Sequence, residues 1–377
     1  MLIQKPPMGW NSWNTFGENI NEELIMETAD AMVSTGLKDA GYEYLVIDDC
    51  WSLHERDAEG RLVADPVKFP HGMKYLADYV HSKGLKFGMY SCAGTLTCAR
   101  YPGSYEHEFI DAETFASWGV DYLKYDYCNH SPLIPGKYLY RRMGLALENC
   151  GRDILFSACS WGSDETHEWI KTTSADMWRS TGDIFDGWKS VKDLTLRQEA
   201  LHPFNGRGCF NDMDMLIVGM YGKGNVGVAG CTDTQYLSHF ALWCFMQSPL
   251  MIGCDVRNMT EATKKILTEP ELIRLDQDPA TRQPFRIAQW AGQEDEMLIY
   301  ARHLAGGEIA VGFFNMSGEV RRAQTNTEEL GLPVSTGRTL IMKNMVTGEE
   351  IRPQNGAVGR YIDPYACEVY RCRIVKQ

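Results

Sequence analysis

Tyr122-Leu-Lys-Tyr-Asp-Tyr-Cys128 is a short apolar run that follows a helix-like segment and carries a lysine and an aspartate near its end. If the run is a β-strand, Lys124 and Asp126 are two residues apart and project from the same face. Charged side chains are costly on a strand whose apolar character indicates burial on both faces. For one pair alone, a functional site and a solvated ion pair explain the pattern equally well.

The same pattern recurs along the chain and defines the fold class. Eight short apolar runs ending in polar residues cover residues 8–13, 44–50, 85–90, 122–128, 154–161, 177–183, 209–215 and 250–255. Apolar residues at helical spacing predict helices between them, over 22–39, 72–82, 111–118, 137–148 and 260–266. This alternation over about 270 residues predicts an α/β fold of the (β/α)₈ TIM barrel type, with an open doubly wound sheet as the alternative.

Two observations favour the closed barrel. The first run is not followed by the GxGxxG phosphate fingerprint of a dinucleotide-binding sheet. Polar side chains also collect where the runs end, which is where barrel enzymes build their sites. These side chains are Asp48, Asp49, Tyr90, Lys124, Asp126, Arg179, Asp183, Asp212, Asp214 and Asp255. The sequence therefore predicts a carboxylate-rich pocket at the carboxyl ends of the strands.

After about residue 285 the pattern changes to short alternating runs separated by turn signals, at 296–302, 308–314, 339–342 and 367–372. We expect a catalytic barrel over residues 1–285 and a small C-terminal antiparallel β-sandwich domain over 286–377. No cluster of catalytic residue types lies in this second part, so an accessory role is expected.

Composition limits the partners. The formal net charge of −13 argues against nucleic acid or an anionic membrane as the main partner. No apolar stretch is long enough for a membrane span, and the first residues lack an apolar signal core, so we expect a cytoplasmic protein unless a signal has been removed. Twelve cysteines without CxxC spacing do not indicate zinc. Homo-oligomerisation stays open.

Metal-dependent hydrolysis is one chemistry that carboxylates could support. No histidine lies in the eight runs, but a magnesium site of Asp48, Asp49, Asp212 and Asp214 remains an alternative. The glycine-rich segment 221–227 lacks the full P-loop spacing, so we interpret it as a mobile loop rather than a phosphate cradle.

Glycoside hydrolysis requires only two carboxyl groups flanking the anomeric carbon. Asp126 and Asp183 end the fourth and sixth runs and could face each other across a sugar. Lys124 should keep Asp126 ionised, as a nucleophile needs, and Asp183 could reach the leaving oxygen. Core packing and stacking on a sugar are both open for five tryptophans, Trp10, Trp13, Trp51, Trp161 and Trp178.

Six motifs, in order, resemble glycoside hydrolase family 27, which comprises α-galactosidases and α-N-acetylgalactosaminidases. They are Met8-Gly-Trp-Asn-Ser-Trp13, Val46-Ile-Asp-Asp-Cys-Trp51, Lys86-Phe-Gly-Met-Tyr90, Tyr122-Leu-Lys-Tyr-Asp126, Trp178-Arg-Ser-Thr-Gly-Asp-Ile184 and Asn211-Asp-Met-Asp-Met215. The resemblance implies a retaining α-galactosidase that acts on terminal α-linked galactose through a covalent glycosyl-enzyme. It implies no metal or organic cofactor.

The resemblance also assigns roles to residues. Asp126 becomes the nucleophile and Asp183 the acid/base, while Asp48 and Asp49 bind O4 and O6 of the sugar. The remaining pocket residues implied are Trp13, Tyr90, Lys124, Cys159, Ser160, Trp161, Arg179, Asp214 and Met215. A disulfide between Cys98 and Cys128 is implied at the pocket rim, with two reduced thiols as the alternative. The family partner of Cys50 is replaced here by Glu18, which puts a second disulfide in doubt.

The fifth strand end, Cys159-Ser-Trp-Gly162, bears on which sugar binds. Ser160 and Ser163 resemble the small residues that admit the N-acetyl group in α-N-acetylgalactosaminidases. Gly162 resembles the plant-type α-galactosidases, in which Cys159 and Trp161 would face the sugar, so galactose is favoured. A β-L-arabinopyranosidase is a lesser alternative. A sugar-binding protein without catalysis is disfavoured because both carboxylates are present.

Overall fold

The computed structural model describes residues 3–287 and 295–376. Eight parallel strands form the first sheet in the order β7-β6-β5-β4-β3-β2-β1-β8. These strands are β1 (Met8–Asn11), β2 (Tyr44–Val46), β3 (Lys86–Cys92), β4 (Tyr122–Asp126), β5 (Leu155–Cys159), β6 (Met177–Arg179), β7 (Phe210–Asp212) and β8 (Leu250–Ile252). The ring closes just beyond β7, where Leu216 forms a parallel bridge with Ile252 of β8. The predicted TIM barrel is confirmed.

Helices cover the outside of the barrel. They are α1 (Trp13–Phe16), α2 (Glu22–Ser34), α3 (Leu37–Ala40), α4 (Gly72–Ser82), α5 (Glu108–Trp118), α6 (Gly136–Asn149), α7 (Thr166–Trp169), α8 (Trp188–Glu199), α9 (Asp233–Met246), α10 (Glu261–Leu267) and α11 (Pro270–Asp276). The single helix predicted over 22–39 is wrong. Gly36, at φ 86°, adopts the left-handed conformation that glycine tolerates best, and it separates α2 from α3.

Alternation along β4 decides which side chains enter the barrel. Leu123 and Tyr125 pack outward in the main core beneath the helices. Tyr122 packs inward with a layer of apolar side chains from the other strands. This layer contains Tyr44, Val46, Tyr122, Leu155, Met177, Phe210, Met215 and Met251. Because a strand alternates with a period of two, Lys124 and Asp126 follow Tyr122 on the inner face and reach the carboxyl end of the barrel.

The C-terminal strands form two antiparallel sheets, of six strands (β14-β13-β16-β11-β10-β9) and two strands (β12-β15). They are β9 (Phe285–Arg286), β10 (Met297–His303), β11 (Ile309–Asn315), β12 (Arg321–Asn326), β13 (Arg338–Asn344), β14 (Glu350–Ile351), β15 (Ala357–Ile362) and β16 (Cys367–Lys376). Ile299 and Phe313 of the larger sheet pack in one core with Ala323 and Val358 of the smaller. This is the predicted β-sandwich.

The opposite face of the six-stranded sheet packs on the barrel. Tyr300 of β10 and Phe314 of β11 lie in the barrel core beside Phe245 of α9, with ring centroids 5.9–6.1 Å apart. The guanidinium of Arg302 is fully buried at this junction. It donates to the carbonyls of Cys244 and Phe245 at 3.1 and 3.0 Å, and to that of Leu275 at 2.7 Å. One side chain of β10 thus donates hydrogen bonds to backbone carbonyls in the last turns of two barrel helices, α9 and α11.

No helix among residues 3–287 and 295–376 combines the length and the apolar character needed to cross a membrane.

Replacing Arg302 by methionine should remove a donor from each of these three buried carbonyls and leave that of Phe245, four residues before Pro249, unsatisfied. We expect the free energy of unfolding to fall by about 3 kcal/mol, since an unsatisfied buried polar group costs its desolvation. Urea denaturation at neutral pH measures this change. Arg373→Met, at an exposed position of β16, is the matched control and should change stability little. Equal stability of the two variants would contradict the role of Arg302.

Candidate active site

The carboxyl ends of the barrel strands surround a cavity of about 220 Å³. Parallel strands in a closed ring bring residues far apart in sequence to one mouth. The predicted residues that line this cavity are Trp13, Asp48, Asp49, Tyr90, Cys98, Lys124, Asp126, Cys159, Trp161, Arg179, Asp183, Asp214 and Met215.

Ser160 is the predicted substrate-binding residue that does not line the cavity. Its hydroxyl is buried and lies 2.7 Å from the hydroxyl of Thr166. Ser163 is exposed, and its hydroxyl donates to the Ser160 carbonyl at 2.5 Å. Alternation at the end of β5 turns Cys159 and Trp161 toward the cavity and Ser160 away from it. This geometry gives the Ser160 hydroxyl no contact with the cavity.

Lys124 forms its direct ion pair with Asp48, not with Asp126 as the strand pattern suggested. The Nζ of Lys124 lies 2.7 Å from Oδ2 of Asp48, which also accepts from Nδ2 of Asn11 at 2.7 Å. Burial acts to lower the pKa of Lys124, but the nearby carboxylates, Asp48 first, outweigh it and raise the pKa well above its usual value. The ammonium therefore stays charged beside Asp126.

Asp126 is a buried carboxylate with two hydrogen-bond donors. The Tyr90 hydroxyl donates to Oδ2 at 2.9 Å, and the Tyr127 backbone N–H donates to Oδ1 at 2.9 Å. Burial raises the pKa of Asp126 to about 6, although Lys124 and both donors act in the opposite direction. Asp126 is therefore mostly ionised at neutral pH, and it gains a proton in mildly acidic solution.

Arg179, at the end of β6, connects two further carboxylates. Its buried guanidinium lies 2.9 Å from Oδ1 of Asp183 and 3.1 Å from Oδ1 of Asp214. Asp214 also accepts the backbone N–H of Ile184 at 2.7 Å, which ties the segment after β6 to the segment after β7. The side chain of Asp183 is 64% exposed, whereas that of Asp214 is buried. Of this pair, Asp183 is the one that solvent and a leaving group can reach.

The implied disulfide between Cys98 and Cys128 is present at the edge of the cavity. The sulfur of Cys98 lies 3.6 Å from Oδ2 of Asp126, so the bridge borders this carboxylate directly. Asp49, on the same side, accepts backbone N–H groups of Cys50 and Ala99 at 2.7 and 3.0 Å. The bridged segment thus contributes both a wall and a donor for Asp49.

Cys50 is a free buried thiol, in agreement with the doubt about a second disulfide. The Nζ of Lys68 donates to the carbonyls of Glu18 and Cys50 at 3.0 and 2.8 Å. An ammonium therefore joins the two segments where the resembling family has a disulfide. Cys50 follows Asp49 directly, so this contact also fixes the backbone beside the cavity.

Three of the five candidate tryptophans belong to the core. Trp13 and Trp161 line the cavity. Trp10, Trp51 and Trp178 are buried. Each of these three donates its indole N–H to a buried partner, namely the Cys254 carbonyl, the Tyr90 carbonyl and Oδ1 of Asn211, at 2.8–2.9 Å.

Two strand-end aspartates are not part of the cavity lining. Asp212 is buried and accepts the backbone N–H of Asp214 at 2.9 Å, so it positions Asp214. Asp255 pairs with Arg257 at 2.8 Å. In the described part of the chain, the cluster at metal-ligand spacing is Cys98, Asp126 and Cys128, and the disulfide uses both sulfurs. The alternative magnesium site therefore has no shared ligand set there.

Five further residues line the cavity that sequence reasoning did not identify: Asn14, Ile184, Phe185, Asn225 and Val226. Asn225 and Val226 belong to the glycine-rich segment that was interpreted as a mobile loop. The backbone N–H groups of both donate to the Asn14 carbonyl, at 2.8 and 3.2 Å. Phe185 could have been found from its position two residues after Asp183.

A larger cavity of about 1200 Å³ lies at the opposite end of the barrel. Tyr44, Lys86 and Leu155, at the amino ends of their strands, are part of its lining. None of the predicted site residues contributes to it. In barrels this end serves stability rather than catalysis.

A closed barrel with a carboxylate-rich cavity at its carboxyl end agrees with a glycoside hydrolase, and the family match establishes this class. A family model described as alpha galactosidase A matches residues 5–278, and the chain belongs to this family.

Known relatives agree over nearly the whole length. An alpha-galactosidase of Cyamopsis tetragonoloba is 42% identical over 370 residues, which cover 98% of this chain and 86% of the relative. The crystal structure of alpha-galactosidase I from Mortierella vinacea is 32% identical with a TM-score of 0.91, covering 98% of this chain and 97% of that one. The Saccharomyces cerevisiae alpha-galactosidase with raffinose is 29% identical with a TM-score of 0.88, covering 99% and 98%.

The raised pKa of Asp126 leads to a prediction about pH. Protonation would remove the nucleophilic character that the family resemblance leads us to expect of Asp126, so kcat/KM for a nitrophenyl α-galactoside should fall as the pH is lowered through about 6. Tyr90→Phe removes a donor that lowers this pKa, so the acidic limb should move to higher pH by on the order of half a unit to one unit. The pH profile of kcat/KM measures the shift.

Tyr42→Phe provides the control, because this buried hydroxyl donates to the Leu267 carbonyl, far from Asp126 in the fold. Its profile should keep the wild-type midpoint. A Tyr90→Phe profile that moves to lower pH, or that does not move, would contradict the assignment of the limb to Asp126.

Proposed function

We propose that this chain is a retaining α-galactosidase in which Asp126 is the nucleophile and Asp183 the acid/base. The observation that carries the proposal is the contrast between these two carboxylates in one cavity. Asp126 is buried and held by Tyr90 and Tyr127, whereas Asp183 is exposed at the mouth. Retaining enzymes need one fixed carboxylate to attack and one that can exchange protons with the leaving group and with water.

The reaction proceeds in two displacements. An oxygen of Asp126 attacks the anomeric carbon from the face opposite the leaving oxygen and forms an ester bond. The bond to the leaving oxygen breaks, and Asp183 donates its proton to that oxygen. Asp183 then removes a proton from water, which attacks the same carbon and releases Asp126. Two inversions give net retention, and the product is α-galactose.

Charged groups around the two catalytic residues match a sugar rich in hydroxyl groups. On the family resemblance we assign Asp48 and Asp49 to O4 and O6, and both carboxylates are buried and line the cavity. Lys124, Arg179 and Asp214 supply further donors and acceptors. All three are fixed by ion pairs before substrate arrives, which limits the ordering cost of binding.

Galactose is the sugar that this cavity supports best. The residues at and just after the end of β5 that border the cavity are Cys159 and Trp161, and the Ser160 hydroxyl is engaged by Thr166. This speaks against a role for Ser160 in admitting an N-acetyl group. A role as a non-catalytic sugar-binding protein has no support in the described residues, since both carboxylates line the cavity.

We further propose that catalysis resides in residues 1–285 and that residues 286–377 are an accessory β-sandwich domain. All described residues that line the cavity lie in the first part.

Substitution of the two carboxylates should separate their roles. Asp126→Gly and Asp183→Ala should each lower kcat for a nitrophenyl α-galactoside by more than about 10³-fold. Added azide should rescue both variants with opposite stereochemistry. It attacks the glycosyl-enzyme in Asp183→Ala to give α-galactosyl azide, and it replaces the missing nucleophile in Asp126→Gly to give the β-azide.

Asp255→Asn is the control, because Asp255 is also an aspartate that follows a barrel strand but lies outside the cavity lining. It should retain near wild-type kcat/KM. The assignment fails if either variant keeps wild-type activity or if azide gives the same anomer in both.

Sugar preference can be measured on the wild-type protein. We expect kcat/KM for the nitrophenyl α-galactoside to exceed that for the α-N-acetylgalactosaminide by about 100-fold or more, and that for the β-L-arabinopyranoside by about 10-fold or more. Ser160→Ala should leave both ratios unchanged because its hydroxyl faces Thr166. A preference for the N-acetyl sugar, lost in Ser160→Ala, would reverse the choice.

A further inference from the structure

An exposed apolar ledge borders the cavity on the side of Asp183. We define this ledge as the exposed Phe185 and Val228 together with Val226, which is buried and lines the cavity. Phe185 and Val226 line the cavity, while Phe185 is 50% and Val228 59% exposed. Large apolar side chains at this exposure contribute little to a core, and beside the cavity mouth they offer an apolar surface to a ligand.

We propose that the side chains of this ledge bind the first sugar ring of the leaving group and so determine how strongly this chain prefers a leaving group that carries such a ring. The proposal deepens the proposed function and rests on it.

The position of Asp183 fixes which side of the cavity the leaving group occupies. An acid must lie within hydrogen-bond reach of the oxygen that it protonates. Phe185 follows Asp183 by two residues and lines the same cavity. A ring attached to the protonated oxygen therefore passes beside the Phe185 side chain as it extends out of the mouth.

The backbone on both sides of the ledge is fixed. Asp186 forms a parallel bridge with Gly227, which places the Phe185 segment alongside the segment of Val226 and Val228. Alternation puts the three ledge side chains on one side of this bridge and the Asp186 side chain on the other. That side chain is fully buried, which agrees with the alternation.

Asp186 holds the glycine-rich loop as well. Its Oδ2 accepts the Gly222 backbone N–H at 2.6 Å, its carbonyl accepts that of Gly230 at 2.9 Å, and both carboxylate oxygens accept the Tyr236 hydroxyl at 2.9–3.0 Å. Because these hydrogen bonds already fix its backbone, the ledge loses little conformational freedom when a ligand binds.

Charge and shape identify the class of ligand. Five carboxylates line the cavity, from Asp48, Asp49, Asp126, Asp183 and Asp214, and the whole chain carries a formal charge of −13. An anionic leaving group would be repelled. The ledge itself offers apolar faces, against which the C–H face of a pyranose packs as other amphipathic rings do. A neutral sugar ring satisfies both conditions.

The test compares two substrates that differ only in the presence of a leaving-group ring. Raffinose places a sugar ring beyond the scissile bond, whereas α-galactosyl fluoride places only fluoride there. Phe185→Ala should lower kcat/KM for raffinose by about 10-fold and change kcat/KM for the fluoride less than about twofold. The inhibition constant of free galactose should stay at its wild-type value. Val228→Ser should show the same selectivity with a smaller loss.

Phe109→Ala is the matched control, since this phenylalanine of α5 is similarly exposed at 53% and does not line the cavity. It should leave both substrates unaffected. Equal losses on raffinose and the fluoride, or no loss on raffinose, would overturn the ledge while leaving the proposed function intact. Failure of the wild type to cleave either substrate would instead reject the proposed function, and the ledge with it.

Discussion

Five carboxylates share one small cavity, and the two buried cations among them make that arrangement tenable. Lys124 lies 2.7 Å from Asp48, and Arg179 lies about 3 Å from both Asp183 and Asp214. Without a partner, a buried carboxylate would take up a proton or destabilise the fold. Each cation also connects the ends of different strands, β4 with β2 and β6 with β7. The need to pair buried charges therefore helps to set the shape of the cavity mouth.

The two cations leave Asp126 in an intermediate position. Lys124 acts on its charge from nearby but gives its direct contact to Asp48, and burial prevails in raising the pKa of Asp126 to about 6. A carboxylate whose ionised form is moderately disfavoured is a stronger base and a more reactive nucleophile than one locked in an ion pair. The separation of Lys124 from Asp126 therefore follows from chemistry as well as from packing.

Sequence patterns predicted the parts of this molecule that depend on periodicity. Helix α4 was predicted with both ends correct, because residues 72–82 carry an uninterrupted amphipathic pattern. The convergence of Asp48, Lys124 and Asp214 followed from counting strands, since every carboxyl end of a parallel ring lies at one mouth. The break at Gly36 was missed because apolar residues continue at helical spacing on both sides of this glycine, which predicts one uninterrupted helix.

Patterns did not predict which way a side chain turns where a strand gives way to a loop. Ser160 and Asp255 were both expected in the pocket, yet one faces Thr166 and the other faces Arg257. Phe185, Asn225 and Val226 were missed for the same reason, since they belong to irregular segments whose positions depend on long-range hydrogen bonds. The pairing of Lys124 with Asp48 likewise spans 76 residues.

The exposure of the two proposed catalytic groups bears on where along a substrate the enzyme can act. Asp126 is buried in a cavity of about 220 Å³, a volume suited to one monosaccharide, and the Cys98–Cys128 bridge borders it at the edge of this cavity. Asp183 lies at the open mouth, where the leaving group can extend into solvent. A galactosyl unit with further sugars attached on its buried side would meet the buried carboxylates of Asp48 and Asp49. The same geometry that stabilises the charges therefore restricts cleavage to terminal residues.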